Sequence, residues 1–471
     1  MHSPQSPFRP WSLLFALASM LVTAPTLARD WLAFGEIRGH LEPCGCSPET
    51  DLGGIARIGH GIVLARHQTP GIMVFNLGND GPLEADPPRA AAIYEALALI
   101  KPEASLPQAA DLRNGAQLRH HRDNLPWVLS HAKANAPYRD LIQPHISGPG
   151  FIAYGINTEL PDTESISPEL LDTWTRQLRD KTGMAKVLLI ATKDEVLLTK
   201  ILNAKLFDAV ISANPRPAAE SPSAIERLEP GRLRTAGGVY RVPAFGQGLL
   251  RRPPEVGETL PLPPRGLGLA SPGCPPLVPG CMAPPSPVER PQLFTLGEQL
   301  VVWLDKSYQP LDGPFLQIMA RYDAARTDSF RSTIPERLKM LPETPFAGAA
   351  ACQACHPSAV AKWQNSKHFQ ALETLKSKSK DTDAECLSCH VLGLKTPGGF
   401  VSEEHTPNFQ GVQCEQCHGP RKAHTTNPLL KGTAKPREGC QDCHHNPHSP
   451  RFDFAKYWPK IEHGREGKAP P

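Results

Sequence analysis

The sequence predicts two domains of different class in series: a layered α/β domain, then a smaller, mainly α-helical one. Three observations predict this. Short apolar runs alternate with helical segments as far as about residue 250, a proline- and glycine-rich tract follows at 251–291, and the last stretch, from near Phe346, repeats one five-residue word four times.

Composition bounds the function before any motif is read. The 471 residues carry 50 Lys and Arg against 47 Asp and Glu, a net charge of +3, so the charge balance offers no footprint for nucleic acid or for an acidic surface. Hydrophobic residues make up 40%, enough for a globular core, and the 52 prolines call for loop-rich stretches.

Residues 1–28 read as a signal peptide: a short lead with Arg9, the apolar run WSLLFALASMLV from Trp11 to Val22, then TAPTLA ending at Ala28. The run is about a dozen residues, short of the ~20 that a membrane-crossing helix needs, and no later apolar stretch is long enough to span. The expectation is an exported, periplasmic protein in an oxidising compartment, not an integral membrane protein.

Within the α/β part, GIMVFNLG (71–78), AKVLLIAT (185–192) and FDAVISAN (207–214) read as buried strands. RAAAIYEALALI (89–100) and SPELLDTWTRQLRDKTG (167–183) have helical spacing, the second with Ser167 as N-cap, Pro168 in the first turn and Gly183 as its stop. The tract 251–291 reads as a semi-rigid excursion. QLVVWLD (299–305) then reads as one more strand and PFLQIMARYDAAR (314–326) as a helix. The expected domains are 29–340 and 346–471.

The repeated word is C-x-x-C-H: Cys352, Cys355 and His356; Cys386, Cys389 and His390; Cys414, Cys417 and His418; Cys440, Cys443 and His444. In c-type haem attachment two thiols add to the haem vinyl groups and the adjacent imidazole lies under the iron as proximal ligand. Zinc is the alternative, but a zinc site has no reason to place histidine directly after the second cysteine every time. The reading is four covalently attached haem c groups, each holding an iron. About thirty residues per haem cannot build an ordinary core, so the domain should be haem-packed.

Closing the irons takes further imidazoles. In VAKWQNSKHFQALETL, Ala361, His368, Ala371, Leu372 and Leu375 fall on one helical face, and beside an attachment site a histidine so placed reads as a ligand. Gly419-Pro420 turns the chain after His418, which lets His424 swing towards a neighbouring iron, and His463 in YWPKIEHG is placed to do the same. His405, His445 and His448 read as surface residues. Cys44, Cys46, Cys274 and Cys281 remain, as two disulfides or as one disulfide and a reactive pair.

AACQACHPSAVAKWQNSKHFQALETL, ECLSCHVLGL, GVQCEQCHGP and SPRFDFAKYWPKIEHG together resemble the tetrahaem cytochrome c-554 family in order and spacing. The resemblance implies stacked haem pairs, three bis-histidine irons, and one iron, the second in chain order, left open for a small ligand. It also implies a pairing: His424 closes the haem on His356, His368 the haem on His418, and His463 the haem on His444, while His390 holds the open haem.

The opening WLAFGEIRGHLEPCGCSPETDLGGIARIGHGIVLARHQTPGIMVFNLGND resembles the nucleotidase-like calcineurin-type metallophosphoesterases, through a Gly-Gly-x-Ala-Arg helix start at Gly53 to Arg57. That resemblance implies a metallophosphoesterase-like sandwich whose metal ligands are lost. Glu36 and Arg38 stand for an Asp-x-His pair, Asn79 for a bridging Asp, Ala191-Thr192 where a histidine would follow the strand, and Ala213-Asn214 at the later Gly-His step. An arginine at a ligand position repels a divalent cation. Glu36, His40, Asp80 and the EPCGC cysteines are candidates for some other site, against the reading of a docking scaffold. The expected function is electron transfer between periplasmic or membrane-bound donors and acceptors. A haem-based oxidoreductase acting on a small nitrogen or sulfur compound is the alternative, and a phosphoesterase a further one.

Overall fold

The computed structural model describes residues 30–43, 51–82, 86–213, 232–234, 239–243, 248–252, 298–304, 308–430, 436–445, 449 and 452–464. Residues 1–28, expected to be a signal peptide, Cys44, Cys46, Cys274, Cys281, Asn214, His448 and nearly all of the 251–291 tract lie outside them.

The chain runs β1 (Trp31–Phe34), α1 (Ile55–Gln68), β2 (Met73–Asn76), α2 (Pro87–Ile100), β3 (Ala104–Ser105), α3 (Ala109–Arg113), α4 (Gly115–His120), β4 (Trp127–Val128), β5 (Ile142–Gln143), β6 (Ile146–Gly148) and β7 (Phe151–Asn157). It continues through α5 (Pro168–Arg179), β8 (Ala185–Ala191), α6 (Glu195–Ala204), β9 (Ala209–Ser212), β10 (Arg232–Arg234), β11 (Tyr240–Arg241), β12 (Gly248–Arg251), β13 (Glu298–Trp303) and α7 (Pro314–Ser332).

These strands form an eight-stranded sheet, β10-β13-β12-β1-β2-β3-β4-β5, and a five-stranded sheet, β11-β9-β8-β7-β6. From β1 to β5 neighbours are parallel, as helical crossovers require, while β12 and β13 return antiparallel. The layering follows from side-chain alternation. In β7 to β9, Ala153, Val187, Leu189 and Ile211 enter the core shared with the first sheet. Ile152, Tyr154, Leu188, Ile190 and Val210 point the other way, onto Trp174 and Leu178 of α5 and Leu197, Leu198 and Ile201 of α6. Phe75 of β2 meets Phe151 of β7 edge-on across the two sheets, ring centres 5.8 Å apart. With α1, α2 and α7 outside the first sheet, the order is helix, sheet, sheet, helix.

One glycine sets how closely the sheets meet. A Cβ at Gly155 would lie 2.2 Å from the carbonyl oxygen of Val128, so only glycine lets β7 approach β4 and bond to Ser130 there.

The elements expected from sequence are present, with differences at their ends. Ser167 caps α5 by accepting from the Leu170 N–H, but α5 ends at Arg179, and Gly183, at φ 77°, sits in the turn into β8 instead of stopping the helix. Strands β3 to β7 and β10 to β12, not anticipated, complete the two sheets. Helix α7 runs past the expected Arg326 to Ser332. Its 19 residues span about 28 Å. Phe315, Ile318, Met319 and Tyr322 lie in the α/β core, whereas Phe330 lies in a separate cluster with Phe346, Leu372, Leu387, Val391, Phe400 and Phe409.

Beyond α7 the chain is helical: α8 (Ile334–Lys339), α9 (Ala349–Cys352), α10 (Pro357–Gln364), α11 (Ala371–Lys376), α12 (Ala384–His390), α13 (Cys414–His418), α14 (Lys422–Thr426), α15 (Pro436–Gln441) and α16 (Phe454–Tyr457). The single helix expected around His368 is broken. Helix α10 ends at Gln364, where the Asn365 side chain and the Ser366 hydroxyl bond back to the carbonyls of Ala361 and Trp363, and His368 stands in the turn before α11. Among the described residues no helix is long and apolar enough to cross a membrane.

Candidate functional site

Every C-x-x-C-H word is built on a helical turn. Helices α12 and α13 contain the second and third words, and in the first and fourth the His356 and His444 N–H groups donate to the Cys352 and Cys440 carbonyls at 2.8 Å. At three residues' spacing a helix puts both thiols on one side, with the histidine beside them.

Tertiary contacts order the four words differently from the chain. Cys352 lies within electrostatic reach of Cys414, Cys417 of Cys440, and Cys443 of Cys389. The words therefore adjoin in the order first, third, fourth, second. Three side chains lock the first junction. Buried Glu415 accepts from the backbone N–H groups of Ala347, Gly348 and Arg421, at 3.0, 2.7 and 2.7 Å. Gln413 accepts from Ala349 N at 2.7 Å, and Trp363 Nε1 donates to the Val412 carbonyl at 2.7 Å. Sequence reasoning passed over all three, and Glu415 is an interior position of its word that carries no separate signal.

Three histidine pairs face one another. Ring centres of His356 and His424 are 6.4 Å apart with planes at 24°, His368 and His444 6.1 Å at 38°, and His418 and His463 5.9 Å at 39°. An imidazole–metal–imidazole sandwich, with two bonds of about 2 Å and two half-rings of roughly 1 Å, spans about 6 Å. At this separation each pair could hold one iron between its two imidazoles. His424 lies opposite His356. The other two are exchanged: His368 lies opposite His444, not His418, and His463 lies opposite His418, not His444. Breaking the α10–α11 helix carries His368 over to the fourth word.

His390 differs from the other proximal candidates. Its Nδ1 bonds the Ala371 carbonyl at 2.7 Å, which leaves Nε2 to bind a metal. Among the described residues no imidazole faces it at a comparable distance, although His368 and His444 are near enough to be felt electrostatically. Burial is the main reason that the pKa values of His368, His418 and His444 fall below the ordinary histidine value, which favours the neutral, ligating form. Burial, with Asp383 alongside, pushes the Cys386 thiol up to about 12. His405 is exposed and tied to Ser402 at 2.7 Å, and His445 is also exposed.

In the α/β unit the expected metal positions hold a closed polar cluster. Glu36, 1% exposed, is paired with Arg38 at 2.7 Å and accepts from Asn79 Nδ2 and Gln108 Nε2, both at 2.9 Å. Glu36, Arg38 and Asn79 all take positive φ, at 55°, 53° and 58°. Asp111 accepts from Asn79 N at 2.7 Å, Asp80 N at 3.0 Å and the Tyr94 hydroxyl at 2.9 Å. Asp80 is fully buried, with one carboxyl oxygen bonded to Asn76 and the other unpartnered. Burial, reinforced by the neighbouring Asp111, holds the pKa of Asp80 well above the ordinary carboxylate range, and burial also raises that of Asp111 against the backbone N–H groups that lower it. Thr192 is closed by Thr158 at 2.8 Å. The Arg38 guanidinium neutralises Glu36, and among the described residues no three His, Cys, Asp or Glu side chains are arranged to hold a metal ion. Glu36 and Asp80 do share this cluster, while His40 is half-buried beside it. Gln108 and Asp111 went unread, although Gln-x-x-Asp is a capping-box spacing.

Residues 351–419 match the family model described as cytochrome c554 and c-prime. Among characterised proteins, cytochrome c-554 of Nitrosomonas europaea is 29% identical over 139 residues, covering 26% of this chain and 56% of that protein. For the N-terminal region, solved structures include the 5'-nucleotidase precursor of Thermus thermophilus (14% identity, TM-score 0.35) and calcineurin-like phosphoesterase YfkN of Bacillus subtilis (12%, 0.33). Each covers 47% of this chain, which spans 50% and 83% of those chains. The chain thus spans about half the length of the first relatives that it matches. Together with the four attachment words, the family match and the relative support a c-type cytochrome, and the C-terminal part of this chain is similar to the cytochrome c554 and c-prime family.

Proposed function

We propose that this chain is an exported tetrahaem c-type cytochrome that transfers electrons between periplasmic redox partners, with the α/β unit over 29–340 and the haem unit over 346–471. The observation that carries the reading is the set of three facing imidazole pairs about 6 Å apart, each joining a C-x-x-C-H histidine to a histidine outside the words. The bound haem irons supply one-electron Fe(III)/Fe(II) cycling. What the chain supplies is position. The cysteines would anchor each haem, and His356, His390, His418 and His444 would each hold an iron. His424, His463 and His368 would be second ligands for the first, third and fourth. The unbroken row of words, first, third, fourth, second, supports passage along one line instead of exchange among four separate centres.

A second reading, oxidation or reduction of a small nitrogen or sulfur compound, is favoured by one observation, the lack of a facing imidazole at His390 among the described residues. Two measurements test the function. Haem content of the purified holoprotein should be four per chain; fewer would sink the tetrahaem reading. Electron paramagnetic resonance of the oxidised protein, with and without nitric oxide or hydroxylamine, divides the alternatives. A high-spin signal lost on adding ligand opens the second reading, and four low-spin haems indifferent to ligand leave electron transfer alone.

A further inference from the structure

The α/β unit holds the helical unit by one end of the row. Among the described residues, the ion pairs that reach across all end on the approach to the second word. Arg89 of α2 grips Glu385 with both terminal nitrogens, each 2.9 Å from a carboxylate oxygen, and Lys380 pairs with Glu42. Helix α7, rooted in the α/β core, adds Arg326, which donates to Asp383 at 2.6 Å, and Thr327, whose hydroxyl meets that of Thr382 at 2.9 Å. The Tyr322 ring lies under both guanidiniums, 5.9 Å from that of Arg89 and 5.6 Å from that of Arg326, and its hydroxyl accepts from Arg89 at 3.1 Å.

These charges are placed against one attachment helix. Asp383 caps α12 by accepting from the Glu385 N–H at 3.0 Å, Glu385 immediately precedes Cys386, and α12 ends in His390. The word held in this way is the one whose histidine lacks a facing imidazole among the described residues.

We propose that Arg89 and Arg326 are positioning residues through which the α/β unit sets the reduction potential of the haem on the second word. The inference rests on the haem reading above. Reduction adds one electron from an external reductant to a ferric iron and makes its site less positive. A nearby guanidinium favours that change and a carboxylate opposes it, more strongly where burial lowers the dielectric. The paired charges balance, so removing either member leaves the other to act alone.

The test is a dithionite titration of the full-length holoprotein, followed by optical and paramagnetic resonance spectra that resolve the four haems. Arg89→Gln is expected to lower one potential and Glu385→Gln to raise that same potential, with the other three unmoved and with Arg89→Lys restoring most of the first shift. Glu385 is exposed, so its variant reports even if Arg89→Gln folds poorly. Four haems with unmoved potentials in both glutamine variants would overturn the inference, as would equal shifts at every haem. Mass spectrometry of the peptide bearing Cys386 and Cys389 separates the two claims. A peptide without haem overturns the haem reading and this inference with it, whereas a haem-bearing peptide with unmoved potentials overturns this inference alone.

Discussion

The imidazole of His368 faces that of His444 across 6.1 Å, although the two are far apart in sequence and His390 and His418 both lie between them. This relationship sets His368 opposite the histidine of the fourth word and leaves His463 opposite that of the third.

The exchange is testable haem by haem. His368→Ala should remove the same low-spin signal that is lost when Cys440 and Cys443 are both replaced by Ala. His463→Ala should remove the signal lost with Cys414 and Cys417. Paramagnetic resonance of the four proteins decides it, and the opposite correspondence would restore the pairing expected from the family resemblance.

Glu415 ties the third word to the entry of the first. Glu415→Ala strips three backbone N–H groups of a buried carboxylate, at a cost of about 3 kcal/mol. Glu415→Gln keeps one acceptor oxygen and should lose less. Thermal melts and haem content check this, with reduced loading expected at the first and third words before the others.

Breaking the Arg38–Glu36 pair should destabilise the α/β unit by about 3 kcal/mol, because Arg38→Met leaves a buried carboxylate without its counter-charge. Adding Glu36→Gln to Arg38→Met should recover part of the loss. Urea unfolding followed by tryptophan fluorescence measures it, since Trp31 and Trp127 lie in the same core. Single and double variants of equal stability would argue against the pair.

Asp80 predicts a pH dependence. Its folded pKa lies well above the ordinary 3.8, raised by burial and then by Asp111, so its proton binds more tightly in the folded state. The stabilisation is fully present below about pH 4, declines as pH rises, and is lost through the folded pKa, with a slope of up to about 1.4 kcal/mol per pH unit. Asp80→Asn should flatten this decline, so that the variant gains on the wild type as pH rises above the ordinary carboxylate range. Parallel stability curves over that range would show that Asp80 is not the group responsible.

Much of this protein is legible along the chain because the governing interactions are local. Two thiols and an imidazole in five residues define an attachment word whatever surrounds them. Alternating apolar runs and helical segments announce a layered α/β unit because side-chain periodicity is a property of the backbone itself. Helix α2 starts where Asp86 and the following prolines place it, and Ser167 caps α5 as its position implies.

The long-range relationships were decided by the tertiary structure. The spacing of His368 fitted one continuous helix, and the turn at 365–370, stabilised by Asn365 and Ser366 bonding back to the preceding helix, redirected it from His418 to His444. The order of the four words follows from which helices pack, and the grip on the second word from where α2 and α7 present Arg89 and Arg326. Glu36, Arg38 and Asn79 were readable as residues, but the hydrogen bonds that join them into one cluster come from Gln108, Asp111 and Tyr94, which lie on other elements and carry no local sign of the contact. Local chemistry is written in residue type and spacing, whereas pairing depends on which surfaces bury one another, and that is a property of the folded chain as a whole.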